Sequence, residues 1–121
     1  MSKRLTQQEE QAMNVIWRIG EANVKEILQH IREPKPPYTT LASTIKNLEK
    51  KGYVKSRLLG NMYVYTPLIE EKSYQDQALT SLVKQHFDNS YKNLVAFFAK
   101  EKKISPSELK EIIGMIERKK K

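Results

Sequence analysis

Cysteine is absent from the sequence, and this absence excludes several classes of protein at once. Disulfides, thiolate zinc sites and thiol nucleophiles all require it. Long hydrophobic runs are also missing, and no stretch approaches the roughly 20 apolar residues that a membrane-spanning helix needs. Residues 1–10 include basic side chains but lack the apolar segment of a secretory signal. We therefore expect a cytoplasmic protein without a membrane partner.

Groups that could perform catalysis or hold a metal are few and scattered. The two histidines, His30 and His86, lie far apart in the sequence and on different predicted helices. A metal site or a general base would need neighbouring partners, so both histidines are interpreted as structural. No nucleophile, paired-carboxylate or glycine-rich phosphate motif stands out. We expect no enzyme activity, no catalytic residue, no metal and no cofactor.

Positive charge is what the sequence has in excess. Lysine and arginine number 22 against 14 acidic residues, which gives a formal net charge of +8 over 121 residues. Such an excess favours a polyanionic partner, usually nucleic acid and sometimes an anionic membrane surface. Composition alone is equally consistent with a solvated lysine-rich surface. The length suits one ordinary domain, or a small domain with an appended helical piece.

Three amphipathic helices are predicted in the first part of the chain, over residues 6–19, 24–31 and 39–51. Thr6 and Glu9 form a capping box at the start of the first helix, and Gly20 ends it. A proline-rich segment stops the second helix, because proline cannot continue a helix. The predicted apolar stripes are Ala12, Met13, Ile16 and Trp17 in the first helix, Val24, Ile27, Leu28 and Ile31 in the second, and Leu41, Ile45 and Leu48 in the third.

A strand-like pattern follows Gly52. Residues 53–59 and 62–66 flank the turn dipeptide Gly60-Asn61 and predict a β-hairpin that Pro67 closes. Tyr63 and Tyr65 are expected to pack on the inner side of the hairpin. Three helices followed by a hairpin is the order of a winged helix-turn-helix, in which the third helix enters the major groove and the wing lies along phosphates.

The outward face of the third helix is polar and basic. Residues 46–57 contain five basic side chains (Lys46, Lys50, Lys51, Lys55 and Arg57) and one acid, Glu49, so positive charge coincides with the predicted DNA face. A solvated helix face is the alternative, and Thr39 and Thr40 could also cap the helix. The candidate DNA-contacting residues are Thr39, Thr40, Ser43, Lys46, Asn47 and Lys50 on the helix, with Lys55 and Arg57 on the wing.

The rest of the chain predicts three further helices, separated by Asp88-Asn89-Ser90 and by a capping box at Ser105 and Glu108. Three short helices bury too little surface alone, so shared burial across a two-fold axis is a better account than a private core. The predicted fold is mainly α with a small β-hairpin: a winged helix-turn-helix, residues 1–67, and a helical dimerisation domain, residues 68–121. The predicted dimerisation residues are Leu82, Phe87, Tyr91, Leu94, Val95, Phe98, Leu109, Ile112, Ile113 and Ile116.

Residues 38–53, YTTLASTIKNLEKKGY, resemble the recognition-helix signature of the BlaI/MecI/CopY penicillinase-repressor family. Trp17 in its V-I-W run, the Y-V-Y-T-P segment at 63–67 and L-V-A-F-F at 94–98 fit the same family. The resemblance covers nearly the whole chain. It implies a homodimeric repressor whose N-terminal half binds a palindromic operator controlling β-lactam resistance genes, and whose C-terminal helices dimerise.

The sequence departs from the family at informative positions. Copper-responsive members carry a C-terminal cysteine cluster, so no metal-sensing role is expected here. Penicillinase repressors are cut at an Asn-Phe bond, and the matching positions are Phe97 and Phe98, which become the candidate cleavage site of a regulatory protease. Some members have arginine where Ala42 stands, so their operator sequence does not transfer. The alternative function is a winged-helix module that binds protein or RNA, although such modules tend to lose the basic face that this sequence keeps.

Overall fold

The computed structural model describes residues 4–119, so both ends of the predicted domains, residues 1–3 and 120–121, lie outside the described residues. The chain separates into two compact units, Met1–Gln75 and Asp76–Lys121, and the division falls inside a helix. The predicted fold class, mainly helical with one hairpin, is confirmed. Within residues 4–119 the elements are α1 (Gln7–Ile19), α2 (Val24–His30), α3 (Tyr38–Lys50), β1 (Val54–Leu59), β2 (Met62–Pro67), α4 (Glu71–His86), α5 (Tyr91–Lys100) and α6 (Pro106–Lys119).

Local hydrogen bonds fix where the first two helices begin and end. The Thr6 backbone N–H donates to Glu9 Oε1 at 2.9 Å, and the Glu9 N–H donates to the Thr6 hydroxyl at 3.2 Å, which confirms the predicted capping box. Gly20 ends α1 with a φ of 79°, a value that favours glycine. A second capping box, which was not predicted from the sequence, is formed by Asn23 and Glu26 at the start of α2.

Lys35 closes the other end of α2. Its Nζ donates to the carbonyl oxygens of Leu28, Gln29 and Ile31 at 2.8, 3.1 and 2.7 Å. The last carbonyl oxygens of a helix lack hydrogen-bond donors within the helix. Here the Lys35 ammonium group supplies the missing donors. The proline-rich connection to α3 is thereby joined to the helix that it follows.

The core of the first unit comes from the predicted stripes. Each predicted stripe faces inward, with Trp17 and Leu28 only half-buried against the cluster. Full burial of a side chain such as Ile16 or Leu48 stabilises a fold by about 1.5–3 kcal/mol. The buried cluster contains Ala12, Met13, Val15, Ile16, Ala22, Val24, Ile27, Ile31, Leu41, Ile45, Leu48, Tyr53, Val54 and Tyr65.

The hairpin pairs β1 with β2 antiparallel, and Leu59 lies opposite Met62 beside the turn. Tyr65 exchanges two backbone hydrogen bonds with Ala22, at 2.8 and 3.1 Å, which joins the hairpin to the connection between α1 and α2. Tyr65 is buried as predicted, but the prediction for Tyr63 was wrong, because this side chain is 57% exposed. Tyr63 lies nearer the turn, beyond the core that covers the base of the hairpin.

The second unit contains α5, α6 and most of α4. Asp88 and Asn89 adopt left-handed backbone conformations, with φ of 52° and 58°, and these conformations separate α4 from α5. The predicted capping box at α6 is confirmed, because the Ser105 N–H donates to Glu108 at 2.8 Å and the reciprocal bond measures 3.1 Å. Among the described residues of this unit, Val83 is the one buried apolar side chain.

Candidate nucleic-acid interface

Helix α3 presents one face to the core and the opposite face to solvent. Its apolar residues Leu41, Ile45 and Leu48 are at most 2% exposed, so the helix is anchored along its length. Ala42 is half-buried at the margin. The structure brings all six predicted residues of this helix onto the solvent side, where each is exposed: Thr39, Thr40, Ser43, Lys46, Asn47 and Lys50.

The first turn of α3 differs in detail from the expectation. The helix begins at Tyr38, with the extended Pro37 before it, so Thr39 and Thr40 are first-turn residues and not caps. The Thr40 carbonyl oxygen accepts a hydrogen bond from the Thr44 hydroxyl at 3.0 Å. The hydroxyls of Thr39 and Thr40 therefore lie at the exposed N-terminal end of the helix, where backbone N–H groups also favour anions.

Lys51 does not belong to the basic surface, and counting it there was wrong. Its Nζ lies 2.6 Å from Glu9 Oε1, and the two side chains are 22% and 6% exposed. Nζ also donates to the Arg4 carbonyl oxygen at 3.2 Å. Lys51 therefore joins the end of α3 to the start of α1, and its positive charge stabilises the packing of these two helices by pairing with Glu9.

The surroundings of Glu9 determine its charge state. Burial alone would raise the pKa of this carboxyl, but the hydrogen bonds from Lys51 and the Thr6 backbone, with the lysine charge, outweigh burial and hold the pKa below its ordinary value. Glu9 is therefore ionised at neutral pH. One carboxylate both caps α1 and pairs with the residue that ends α3.

The two predicted basic residues of the wing are both exposed, but their surroundings differ. Lys55 projects from β1, whereas Arg57 is held by Glu21. Arg57 donates Nε–H and one Nη2–H to the two Glu21 oxygens, each at 2.7 Å. The hydrogen bond from Arg57 lowers the pKa of Glu21, and the same pairing raises the pKa of Arg57. Glu21 was not predicted as part of this surface, because its partner lies 36 positions away and no local sequence pattern links the two residues.

The tip of the wing is apolar. Leu58 pairs across the hairpin with Tyr63, and Leu59 pairs with Met62. All four side chains are exposed. The basic residues Lys55 and Arg57 therefore lie between the base of the wing and its apolar tip. The sequence shows that these four residues are apolar, but it does not distinguish exposed apolar residues of a strand from those that face a core.

The start of α4 belongs to the first unit and packs on the other helices of that unit through aromatic side chains. Tyr74 lies 5.4 Å from Trp17 and 5.9 Å from Tyr53, measured between ring centroids. The Trp17 indole N–H donates to the Ile69 carbonyl oxygen at 2.8 Å, which confirms Trp17 as a packing residue. Burial, followed by the 2.6 Å hydrogen bond to Glu10, raises the pKa of Tyr74. This contact keeps the segment after the hairpin on the scaffold that carries α3.

The surroundings of His30, the acidic side chains and the helix lengths were compared with what a metal site or a membrane span would need. His30 Nδ1 lies 3.0 Å from the Glu26 carbonyl oxygen, a contact within its own helix. Across residues 4–119, no group of three or more histidine, aspartate or glutamate side chains is placed to hold a metal ion. No helix in the same range has both the length and the apolarity to cross a membrane.

Comparison with known proteins gives a consistent assignment. The family model described as penicillinase repressor matches residues 5–118. The penicillinase repressor of Bacillus licheniformis is 25% identical over 94% of this chain and 90% of its own length. The methicillin resistance regulatory protein MecI of Staphylococcus aureus strain N315 is 23% identical over 90% of this chain and 89% of its own.

Solved structures of a repressor also match part of the chain. The DNA-binding domain of the repressor BlaI has 28% identity and a TM-score of 0.53, covering 61% of this chain and 94% of its own. Bacillus licheniformis BlaI in its monomeric form, in complex with the blaP half-operator, has 27% identity and a TM-score of 0.52, covering 61% and 92%. With the family model matched almost from end to end, the chain belongs to the penicillinase repressor family, whose members are transcriptional repressors and not enzymes.

Proposed function

We propose that the chain is a sequence-specific transcriptional repressor, without enzyme activity, that binds a palindromic operator as a homodimer in the bacterial cytoplasm and controls β-lactam resistance genes. The observation that carries the proposal is the polar and basic face of α3, exposed on a packed scaffold beside a hairpin. Family membership and the likeness to BlaI, which was solved with a half-operator, support it.

The proposed DNA contacts divide by chemistry. Ser43 and Asn47 lie midway along the exposed face of α3 and carry short hydrogen-bonding groups suited to base edges. The remaining predicted residues are assigned to contacts with the phosphate backbone. Such contacts position the protein on DNA and contribute equally to the affinity for every sequence. These residues are Thr39, Thr40, Lys46 and Lys50 on α3, and Lys55 and Arg57 on the wing.

The proposed dimer is supported by the exposure of apolar side chains in the second unit. Tyr91 and Val95 of α5 are exposed, as are Ile112 and Ile113 of α6. Amphipathic helices of this kind need a partner surface, because a unit with so little buried apolar area stabilises itself poorly. We assign the interface to the ten residues predicted from the sequence: Leu82, Phe87, Tyr91, Leu94, Val95, Phe98, Leu109, Ile112, Ile113 and Ile116.

The experiment that tests the function is DNA binding as a function of salt. The full chain is titrated onto a duplex from its own upstream region. If about 6–10 phosphates are neutralised per dimer, affinity should fall by roughly 10³–10⁵ between about 50 and 200 mM salt. A mixed-sequence duplex is the control and should bind more weakly. An affinity that does not change with salt concentration, or an equal affinity for both duplexes, would contradict the proposal of an operator-binding repressor. Either result would favour a module that binds protein or RNA.

We further propose that repression ends when a regulatory protease cuts between Phe97 and Phe98. Both rings are partly exposed on α5, and Phe97 contacts Phe87 with ring centroids 5.7 Å apart. The bond lies inside a helix, so cleavage requires local opening of α5. Cutting there separates α6 from α4 and divides the proposed interface. Mass spectrometry of the protein from β-lactam-treated source cells should detect the two fragments. Intact chain in cells whose target gene is derepressed would refute cleavage.

A further inference from the structure

Glu21 is an acidic residue placed inside a basic surface. It lies in the connection between α1 and α2 and accepts two hydrogen bonds from Arg57 at 2.7 Å each. The Thr66 hydroxyl on β2 donates a third, at 3.2 Å. Three donors from both strands of the wing therefore converge on one carboxylate.

The pair leaves Arg57 only partly available to DNA. A guanidinium group has five N–H donors, and Glu21 takes two of them in the parallel geometry that a phosphate would also use. The side chains are 54% and 36% exposed, so the pair lies at the surface, within reach of a ligand. Exposed pairs of this kind are weak, and a phosphate oxygen can compete with the carboxylate.

We propose that Glu21 is a positioning residue of the wing that restrains Arg57 and so lowers the sequence-independent affinity for DNA. Glu21 competes with a DNA phosphate for the same face of the guanidinium, and its negative charge offsets one positive charge on the wing. Lys55, on the same strand, interacts with Glu21 through charge alone and forms no ion pair with it among the described residues, so it makes the stronger phosphate contact. The inference rests on the proposed function, because it concerns how this surface binds DNA.

The test is the slope of log affinity against log salt concentration for Glu21→Gln on a mixed-sequence duplex of about 30 base pairs, long enough for two half-sites. The glutamine keeps the shape of the side chain and still accepts from Thr66, so the fold is retained. We expect binding to tighten about three- to tenfold, and the slope to steepen by about one, since one more phosphate is neutralised.

Two further variants assign the effect. Glu33→Gln removes the same charge from an exposed glutamate that forms no ion pair within residues 4–119, and it should leave the slope unchanged. In an Arg57→Gln background, Glu21→Gln should no longer steepen the slope, because the restrained cation is gone. A salt slope that stays unchanged in Glu21→Gln, or that steepens equally without Arg57, would overturn the proposal.

The two proposals fail differently. If the unmodified chain binds DNA with a steep salt dependence and Glu21→Gln behaves like it, only the role of Glu21 is refuted. If the unmodified chain shows no salt-dependent binding to DNA, the repressor function fails and the role of Glu21 fails with it.

Discussion

Removing Lys51 should destabilise the first unit more than its place at a helix end suggests. In Lys51→Met the Glu9 carboxylate stays buried without its cation. Removing one partner of a fully buried pair costs about 3–5 kcal/mol, whereas exposed pairs contribute about 0–1 kcal/mol. With exposures of 22% and 6%, the pair lies between these limits, and we expect a loss of about 2–3 kcal/mol in the free energy of unfolding.

Glu9→Gln should cost less, about 1 kcal/mol, because glutamine also completes a capping box and the charge left without its partner, Lys51, is more exposed than Glu9 and still donates to the Arg4 carbonyl oxygen. The double variant should cost less than the sum of the two single variants, since it removes the carboxylate that Lys51→Met would leave without its partner. For a unit of this size the lysine variant corresponds to a fall in Tm of roughly 8–24 °C.

Urea denaturation followed by Trp17 fluorescence is the assay, because Trp17 is the one tryptophan of the chain and packs in this unit. Lys50→Met is the matched control, an exposed neighbour whose loss should change stability by less than about 0.5 kcal/mol. If the two lysine variants unfold at the same urea concentration, the pairing of Lys51 with Glu9 contributes nothing and the reasoning fails.

The same pair predicts a pH dependence. The pKa of Glu9 lies below its ordinary value of 4.5, so its contribution is fully present above that pH and is lost as pH falls through the lowered folded-state pKa. The difference in stability between the unmodified chain and Lys51→Met should therefore shrink in acid, because protonated Glu9 needs no cation. A difference that stays constant down to about pH 3 would assign it to lost packing instead.

Two further predictions concern recognition and assembly. Ser43→Ala or Asn47→Ala should mainly relax base preference, whereas Lys55→Ala should weaken binding to all sequences alike and lower the salt slope by about one, as competition with mixed-sequence DNA would show. If the substitution on the wing changed base preference and those on α3 did not, base recognition would have to be assigned to the wing and phosphate contact to α3. Residues 1–75 alone should fold, sediment as a monomer and bind the upstream duplex weakly, because the second half-site is no longer tethered; a dimer of this fragment would refute the assignment of the interface.

Local patterns carried most of what could be predicted from the sequence. The capping boxes at Thr6 and Ser105 depend on residues three positions apart, and the apolar stripe of α3 repeats at helical spacing. Both features can therefore be predicted from the sequence without knowledge of the fold. The pairing of Lys51 with Glu9 spans 42 positions, and no linear pattern encodes it. For this reason the net charge of the predicted surface was overestimated from the sequence.

The hairpin shows the same limit. Its strands and turn follow from alternation and from Gly60, but alternation assigns two faces without saying how far the core extends along them. Tyr63 and Tyr65 occupy equivalent positions in the pattern, yet only Tyr65 reaches the segment at Ala22 that covers it. Depth within the core is a property of the assembled unit, and a strand pattern does not contain it.

The hydrogen bonds of Lys35 have a consequence for chemical labelling. An acylating reagent has to reach the lysine nitrogen itself, so a side chain that is held by hydrogen-bond acceptors must leave them before it reacts. Lys35 gives its ammonium donors to three carbonyl oxygens at the end of α2, although the residue itself is exposed. It should therefore react more slowly than Lys46 or Lys50 in the free protein. When labelling of the free and the DNA-bound chain is compared, the rate at Lys35 in the free chain is already low. Low reactivity at Lys35 therefore reflects its hydrogen bonds at the helix end and not contact with DNA.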